Sequence, residues 1–161
     1  MANTIARVLT GVANVEIRYP VGGAWVDAGY TADGVTFEYN ADTADIEVEE
    51  ETFPIDRRIT KEGAKVTLNM AEGSLYNLDK AMAGGVLAGG TVTLDAGVLK
   101  EMQLRLTGTN PTGGNRVILL PLVTATGTSA VPYKKGEASV VPATFEALKD
   151  SGGSTCTITD T

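Results

Sequence analysis

The residue types that most often carry catalysis and metal binding are scarce in this chain. It contains no histidine, which is the commonest general base and the commonest metal ligand. Its one cysteine, Cys156, therefore has neither a histidine to activate it nor a second cysteine with which to form an internal disulfide. The phosphate-binding patterns G-x-x-x-x-G-K-[ST] and G-x-G-x-x-G do not occur. We therefore predict no catalytic residue, no cofactor and no metal site.

Carboxylates are the only chemically active side chains in good supply. Two acids about 5–9 Å apart can catalyse glycoside hydrolysis, and the chain has 20 acidic residues. Acidic pairs are so common here that they identify no active site. Aromatic residues for a sugar-binding cleft are few, with one Trp, five Tyr and three Phe, and the loop of an EF-hand calcium site is missing. We expect a protein that is not an enzyme.

Charge is distributed unevenly along the chain, which has a net charge of −7. An acidic chain has no general attraction to phosphate backbones, so tight nucleic-acid binding is not expected. Ten acidic residues and no basic residue lie between positions 27 and 56. The basic residues that follow directly are Arg57, Arg58, Lys61 and Lys65. The acidic segment is either an ordinary solvated face or a surface that repels an anion.

The elements that must position these charges are mainly strands. Nineteen glycines, six prolines and several alternating apolar runs are typical of short strands joined by turns, and 161 residues fit one domain. Apolar residues alternate with polar ones over 64–70 and 35–39, and we expect Ile46 to Glu49 to pair with the second of these strands. The polar stretch 42–61 is predicted to be a long loop that reaches a neighbouring subunit.

One short helix is predicted over about 74–83. Ser74 is a suitable N-cap, and the apolar stripe that follows should dock the helix on the sheet through Leu75, Leu78 and Met82. The longest apolar run, 117–123, contains Pro121 and is predicted to be a buried strand with a kink. It is far shorter than the ~20 residues that cross a bilayer, so no membrane anchor is expected. The start of the chain lacks the continuous apolar core of a secretion signal because Arg7 interrupts it.

Five motifs follow one another in a fixed order: D-G-V-T-F-E-Y at 33–39, the acidic strand I-E-V-E-E, the loop with Pro54, the segment K-E-G-A-K-V-T-L-N-M-A-E-G-S-L-Y-N-L-D-K-A-M-A-G-G, and P-A-T-F-E-A-L-K-D at 142–150. This order resembles that of the tail tube, or major tail, proteins of long-tailed bacteriophages. These motifs cover most of the chain. None of them is a catalytic signature, so the resemblance depends on their combination and order.

The resemblance implies a mainly β, single-domain protein over 1–161, a β-sandwich or barrel-like domain with one flanking helix. It implies self-association into hexameric rings that stack into a hollow tube for DNA ejection. The other implied partners are the tape measure, tail terminator and baseplate or tip proteins of the tail, with DNA passing through without specific binding. The implied location is the virion, after assembly in the cytoplasm of the bacterial host.

Within that scheme, particular residues are expected to have particular roles. An acidic lining repels phosphate and keeps DNA mobile, and the lining residues that we predict are Glu38, Glu47 and Glu49, each on the polar face of a strand. The residues predicted to contact other subunits or rings are Glu50, Glu51, Phe53, Pro54, Arg57, Arg58 and Lys61. The N-terminal arm, 1–10, and the C-terminal segment, 151–161, are further candidates for contacts between rings.

A second hypothesis is an immunoglobulin-like adhesion module or a carbohydrate-binding β-sandwich. Such a module has a similar composition but needs an exposed aromatic platform, for which Trp25 and Tyr30 are the candidates. It also needs a secretion route, and the sequence shows no signal for one.

Overall fold

The computed structural model describes residues 11, 13–94, 97 and 99–161. Within these residues the chain forms ten strands and one helix. The strands are β1 (Asn14–Arg18), β2 (Trp25–Asp27), β3 (Thr31–Ile46), β4 (Asp56–Met70), β5 (Val86–Ala88), β6 (Thr91–Thr93), β7 (Met102–Thr109), β8 (Asn115–Thr126), β9 (Val141–Ala147) and β10 (Thr157–Asp160). The helix, α1 (Leu75–Ala81), follows β4. The predicted mainly β fold with one short helix is confirmed.

Eight strands form one antiparallel sheet in the order β2-β1-β7-β8-β9-β4-β3, with β10 beside β8. Side chains from β1, β4, β7, β8 and β9 form one apolar core, and many of them are completely buried. A seven-residue helix and the small β5–β6 hairpin are too small to cover the face of so wide a sheet. The sheet must therefore roll over on itself, so that its two halves cover each other.

Strand β8 is the long strand around which the sheet turns. One of its edges pairs with β7, while the other pairs with β10 over 116–119 and with β9 over 123–126. Pro121 lies between these two stretches, where its missing N–H breaks no ladder on that edge. The sequence pattern predicted a buried strand with a kink at this proline.

Strand β4 has the clearest alternation in the structure. Ala64, Val66, Leu68 and Met70 are all buried, as the period of two predicts. Only residues 65–70 of β4 also pair with β9, so 56–63 pair with β3 alone. Residues 40–46 of β3 and 56–63 of β4 thus leave the body of the sheet as a two-stranded ribbon, which we call the projecting ribbon.

The projecting ribbon corrects two predictions. The stretch 42–61 is not one long loop, because 42–46 and 56–61 are paired strands and only 47–55 connect them. Nor does Ile46 to Glu49 pair with 35–39, since β3 runs unbroken through both regions up to Ile46 and its partner is β4. Polar composition suggested a loop here because this ladder buries little apolar surface on either face.

The helix also differs from its prediction. Ser74 caps it as expected, accepting a hydrogen bond from the backbone N–H of Asn77. Leu75, however, is 44% exposed, so the prediction that it docks the helix is wrong. Leu78 packs against the core, and Met82 is half-buried at the C-terminal end. The most buried helical side chains are instead Asn77, Asp79, Lys80 and Ala81.

The two leucines should therefore respond differently to truncation. Leu78→Ala removes side-chain atoms packed against the core and should lower the free energy of unfolding by about 2 kcal/mol. Leu75→Ala removes a largely solvated side chain and should change it by less than about 0.5 kcal/mol. Urea denaturation of both variants measures the difference. Equal losses would mean that the helix packs through Leu75 after all.

Candidate assembly surfaces

The projecting ribbon has unusual exposure for a paired strand. Residues 40–45 and 56–62 are all exposed, so neither face of this part of the hairpin is covered. An isolated two-stranded ribbon is only marginally stable in water. Within the projecting ribbon Ile59 is 58% exposed, and Phe53, in the connection between its two strands, is 81% exposed. Apolar area of this kind on a thin extension favours contact with another chain.

The acidic and basic segments of the sequence face each other across this hairpin. The register places Glu38 opposite Lys65, Asp42 opposite Lys61, and Asp45 opposite Arg57. The Arg57 guanidinium donates to both carboxylate oxygens of Asp45, with 3.1 Å from Nη2 to Oδ2, and this hydrogen bonding lowers the pKa of the Asp45 carboxyl. Two of the ten acidic residues of the segment, Glu38 and Asp45, are therefore paired with basic residues on the opposite strand.

The structure separates the three glutamates predicted to line a channel. Glu38 lies in β3 on its solvent face, and its carboxylate is 3.7 Å from the Lys65 ammonium. Glu47 and Glu49 lie beyond the end of β3, so the prediction that they sit on a strand face is wrong. Eight strand residues, 39–46, separate Glu38 from Glu47, so the two lie roughly 30 Å apart along the chain direction. One subunit cannot present all three as a single cluster.

The solvent face of β3, β4 and β9 instead carries two ordered polar rows. Register pairs align Thr36, Thr67 and Thr144 in one row. The next row is Glu38, Lys65 and Glu146. We call this surface the polar face. The sequence pattern of 141–147 places Glu146 on a polar side, but only the register of β9 against β4 reveals it as a neighbour of this row.

The residues predicted to contact other subunits fall in two parts of the hairpin. Glu50, Glu51, Phe53 and Pro54 lie in the connection 47–55, which we call the hairpin tip. Arg57, Arg58 and Lys61 lie in β4 on the projecting ribbon, where Arg57 and Arg58 form ion pairs with Asp45 and Asp56. Both groups are exposed, and their contacts with another chain stay a prediction.

The ends of the chain differ from each other. The C-terminal segment is tied into the sheet, because β10 pairs with β8 and the Asp160 carboxylate accepts hydrogen bonds from Arg116 at 2.6 and 2.7 Å. Thr161 exchanges backbone hydrogen bonds with Asn115. The predicted N-terminal arm, 1–10, lies outside the described residues.

Both ends of the sheet present strand edges. Along the path of the sheet β3 pairs only with β4, and β2 pairs only with β1, within the part of the chain that the structure describes. The outer edge of β3 extends over a strand of 16 residues. A long edge of this kind offers backbone N–H and C=O groups to a strand of another chain.

A buried ionic cluster fixes the helix to the segment that follows it. The Asp79 carboxylate accepts hydrogen bonds from the Lys80 ammonium at 2.6 Å and from the Lys100 ammonium, which also donates to the Asp79 carbonyl at 2.6 Å. All three side chains are at most 5% exposed. The Lys80 ammonium also lies 4.0 Å from the centroid of the Tyr19 ring and 5.0 Å from that of Tyr76.

Charge and burial in this cluster alter two pKa values. Burial lowers the pKa of Lys100, and its hydrogen bond to Asp79 opposes that change. Burial raises the pKa of Tyr76, and the negative charge of Asp79 raises it further. One carboxylate therefore serves two desolvated cations, and removing it would leave both without their principal partner. Sequence reasoning missed this cluster, because Asp79 and Lys100 are 21 residues apart.

Trp25 does not form an open aromatic platform. The Arg105 guanidinium carbon lies 4.5 Å from the centroid of its ring, and that of Arg18 lies 5.4 Å away. Arg105 is itself held by Glu16 at 2.7 Å. Tyr30, the other candidate, is 81% exposed, but the Trp25 ring has cationic groups against it. This arrangement gives the sugar-binding hypothesis little support.

The described residues, 11, 13–94, 97 and 99–161, carry neither a metal-binding cluster nor a membrane-spanning helix. No group of three or more His, Cys, Asp or Glu side chains is arranged there to hold a metal ion. None of the helical structure in those ranges is long and apolar enough to cross a membrane.

Removal of the Asp79 carboxylate should destabilise the fold strongly. Asp79→Asn leaves two buried ammonium groups without it, and we expect the free energy of unfolding to fall by about 3–5 kcal/mol. Asp45→Asn, which breaks an exposed pair, is the control and should have a much smaller effect. Chemical denaturation compares the two. Equal effects would mean that water, not Asp79, solvates the lysines.

No protein-family model and no curated protein sequence matches the chain. Solved structures do match it. A chain from the tail of an empty gene transfer agent (GTA) particle, computed with helical refinement and C6 symmetry, has a TM-score of 0.54 and 10% sequence identity, with 99% of each chain covered. A chain from the virion of a native GTA particle has a TM-score of 0.52 and 10% identity, with coverage of 98% of this chain and 99% of that one.

A third structure, the crystal structure of an Hcp protein, has 10% identity and covers 94% of this chain and 100% of that one. Its TM-score of 0.35 is too low to establish a shared fold. The two GTA chains therefore carry the comparison, and their coverage is nearly complete in both directions. This chain has the fold of a GTA tail chain over almost its whole length, which is the kind of fold that its resemblance to tail tube proteins implied.

Proposed function

We propose that this chain is the structural subunit of a phage-like tail tube, in which hexameric rings stack into a hollow conduit for DNA. The observation that carries the proposal is the fold match to a chain of a C6-symmetric tail over 99% of both chains. The sequence resemblance to tail tube proteins rests on independent grounds, namely the order of its motifs. The scarcity of catalytic residue types, above all the absence of histidine, agrees with a structural role.

The open sheet supports lateral assembly. The exposed edge of β3 and the edge of β2 lie at opposite ends of the strand order. If an edge of one subunit joins a different edge of the next, the contact is heterologous, and it closes into a ring when the rotation per subunit is a whole fraction of a turn. A sixfold ring is one such closed arrangement. It would remove exposed strand edges that otherwise favour uncontrolled association.

The polar face is our candidate for the channel lining. Its threonine row is uncharged, and its second row has two carboxylates to one ammonium in Glu38, Lys65 and Glu146. Repeated around a ring, this row gives a negative lining that would repel DNA phosphates without holding them. Glu146 thus joins Glu38 as a proposed lining residue. Glu47 and Glu49 belong with the hairpin tip in this arrangement.

The projecting ribbon is our candidate for the axial contact. Extending beyond β9, it carries Arg57, Arg58 and Lys61 and ends at the hairpin tip with Phe53 and Pro54. A contact with the next ring would cover side chains that are exposed in the subunit. Tape measure, terminator and baseplate or tip proteins would then meet the tube at its ends, within a virion assembled in the bacterial cytoplasm.

Electron microscopy of the purified protein tests the proposal directly. Negatively stained samples at increasing protein concentration should contain rings with a central hole and tubes built from them. A protein that stays monomeric at high concentration, by sedimentation and by microscopy, would contradict the proposal.

Hydrogen exchange should detect the ordering of the projecting ribbon. In free subunits the amides of 40–46 and 56–63 belong to a thin hairpin with little buried apolar area, so they should exchange fast. In assembled tubes they should exchange at least about tenfold more slowly, because a neighbour covers them. Amides of β7 in the core are the control and should change little. Equal protection of the ribbon in both states would argue against its role in assembly.

Charge reversal on the polar face tests the lining. Glu38→Lys combined with Glu146→Lys should leave tube assembly intact, because both exposed side chains stand on the polar face, perpendicular to the backbone hydrogen bonds of the strand edges. The tubes should then retain DNA, and retention should weaken as salt increases. Glu101→Lys, an exposed change outside this face, is the control. Unaltered DNA passage in the double variant would place the polar face outside the channel.

A further inference from the structure

Two exposed segments lie at opposite ends of the long strand β4. The hairpin tip, 47–55, precedes Asp56 at the start of β4. The loop 127–140 leads into β9, whose first residue, Val141, is paired with Met70 at the other end of β4. At ~3.3 Å per residue, the two ends of β4 are roughly 45 Å apart along the strand. The two segments therefore cannot meet within one subunit.

The hairpin tip combines carboxylates with exposed apolar side chains. Phe53 is 81% exposed and Ile55 is 57% exposed. The acidic residues of the tip are Glu47, Glu49, Glu50 and Glu51, and the segment has no lysine or arginine. Within the described part of the chain, these four carboxylates form no salt bridge. An acidic segment with an aromatic side chain at its end fits a basic surface that also offers an aromatic contact.

The loop 127–140 presents such a surface. Tyr133 is 85% exposed, the Lys134 side chain is 66% exposed, and Lys135 is also exposed. The Ser139 hydroxyl donates to the Pro132 carbonyl at 2.5 Å and closes the base of this turn. Val131, which precedes this turn, packs against the core. The structure thus holds an aromatic ring and two ammonium groups on a short, anchored projection.

We propose that Tyr133, Lys134 and Lys135 form the docking surface for the hairpin tip of a second copy of this chain. In this contact the two lysines pair with tip glutamates, and Tyr133 packs with Phe53. The inference rests on the proposed function, because it names the two surfaces that join one ring to the next. In the free subunit the Lys134 ammonium lies 3.6 Å from the Glu137 carboxylate. On docking, carboxylates of the hairpin tip replace Glu137 as the partner of Lys134.

The positions of the two surfaces determine the kind of assembly. A contact between different patches at opposite ends of a subunit is heterologous, and repetition along one axis gives an open filament. Charge complementarity steers such an encounter and weakens with ionic strength. Elongation should therefore slow as salt increases. The ring contacts are made elsewhere in the proposed tube, so ring formation should depend less on these charges.

Reciprocal charge reversal tests the pairing with purified full-length protein. Glu50→Lys with Glu51→Lys should cut mean tube length by about tenfold while leaving rings, and Lys134→Glu with Lys135→Glu should do the same. The variant with all four changes has the net charge of the natural chain and should recover long tubes. Lys149→Glu, an exposed change outside the loop, is the control and should leave tube length unchanged.

The outcomes separate this inference from the proposed function. If the unmodified protein forms neither rings nor tubes, both are wrong. If it forms tubes and both charge-reversed variants form tubes of normal length, only the docking surface is wrong. The docking surface is also wrong if Lys134→Glu with Lys135→Glu changes DNA retention but not tube length, because the loop would then contact DNA and not the hairpin tip. Circular dichroism would establish that each double variant is folded. If the fourfold variant then fails to recover tube length, the proposed pairing is also wrong.

Disulfide trapping gives a second test that does not depend on charge. In a Cys156→Ser background, one protein carries Glu50→Cys and a second carries Lys135→Cys. After the two are mixed, assembled and oxidised, a covalent heterodimer should form in high yield. Each protein then has a single cysteine, so a disulfide can form only between two chains. Either protein alone should give little dimer, and an equally low yield from the mixture would contradict the contact.

Discussion

The structure depends on the different surroundings of the two halves of strand β4. Its second half lies between β3 and β9 and sends alternating side chains into the rolled sheet, where Val66 and Met70 are fully buried. Its first half has only β3 beside it, and almost every side chain there is exposed. The same strand therefore anchors the core and extends a thin ribbon beyond it. The ribbon gains little from burial within the subunit, which is why we assign its stabilisation to neighbouring subunits.

The helix shows how a small element can be held by few apolar contacts. Seven residues are too few to form a stable helix in isolation. Leu78 and Tyr76 reach the core, while Asp79, Lys80 and Lys100 join the helix to the chain beyond the β5–β6 hairpin. Such a buried ionic cluster is costly unless each charge keeps its partner, so it favours one position of the helix. A uniquely placed helix would suit a subunit of the repeating assembly that we propose.

The sequence pattern predicted the elements that alternation and capping determine. The core strand 64–70, the strand through the apolar run 117–123 and the helix N-cap at Ser74 follow from local residue spacing. The projecting ribbon could not be predicted in this way, because a ladder exposed on both faces has the composition of a loop. The row formed by Glu38, Lys65 and Glu146 depends on the register of strands distant in sequence, and the ionic cluster depends on Lys100, 21 residues from Asp79. Leu75 fitted the helical period but lies on the solvent side.

The central claim is that subunits join laterally through strand edges and axially through the ribbon. The most direct measurement is a helical reconstruction of tubes assembled from the unmodified protein, at a resolution that traces strands. We expect sixfold rings in which the outer edge of β3 is hydrogen-bonded to a strand of the neighbouring subunit, the polar face lines the channel, and the projecting ribbon crosses into the next ring. Tubes whose β3 edges face solvent, with the ribbon folded against its own subunit, would contradict it.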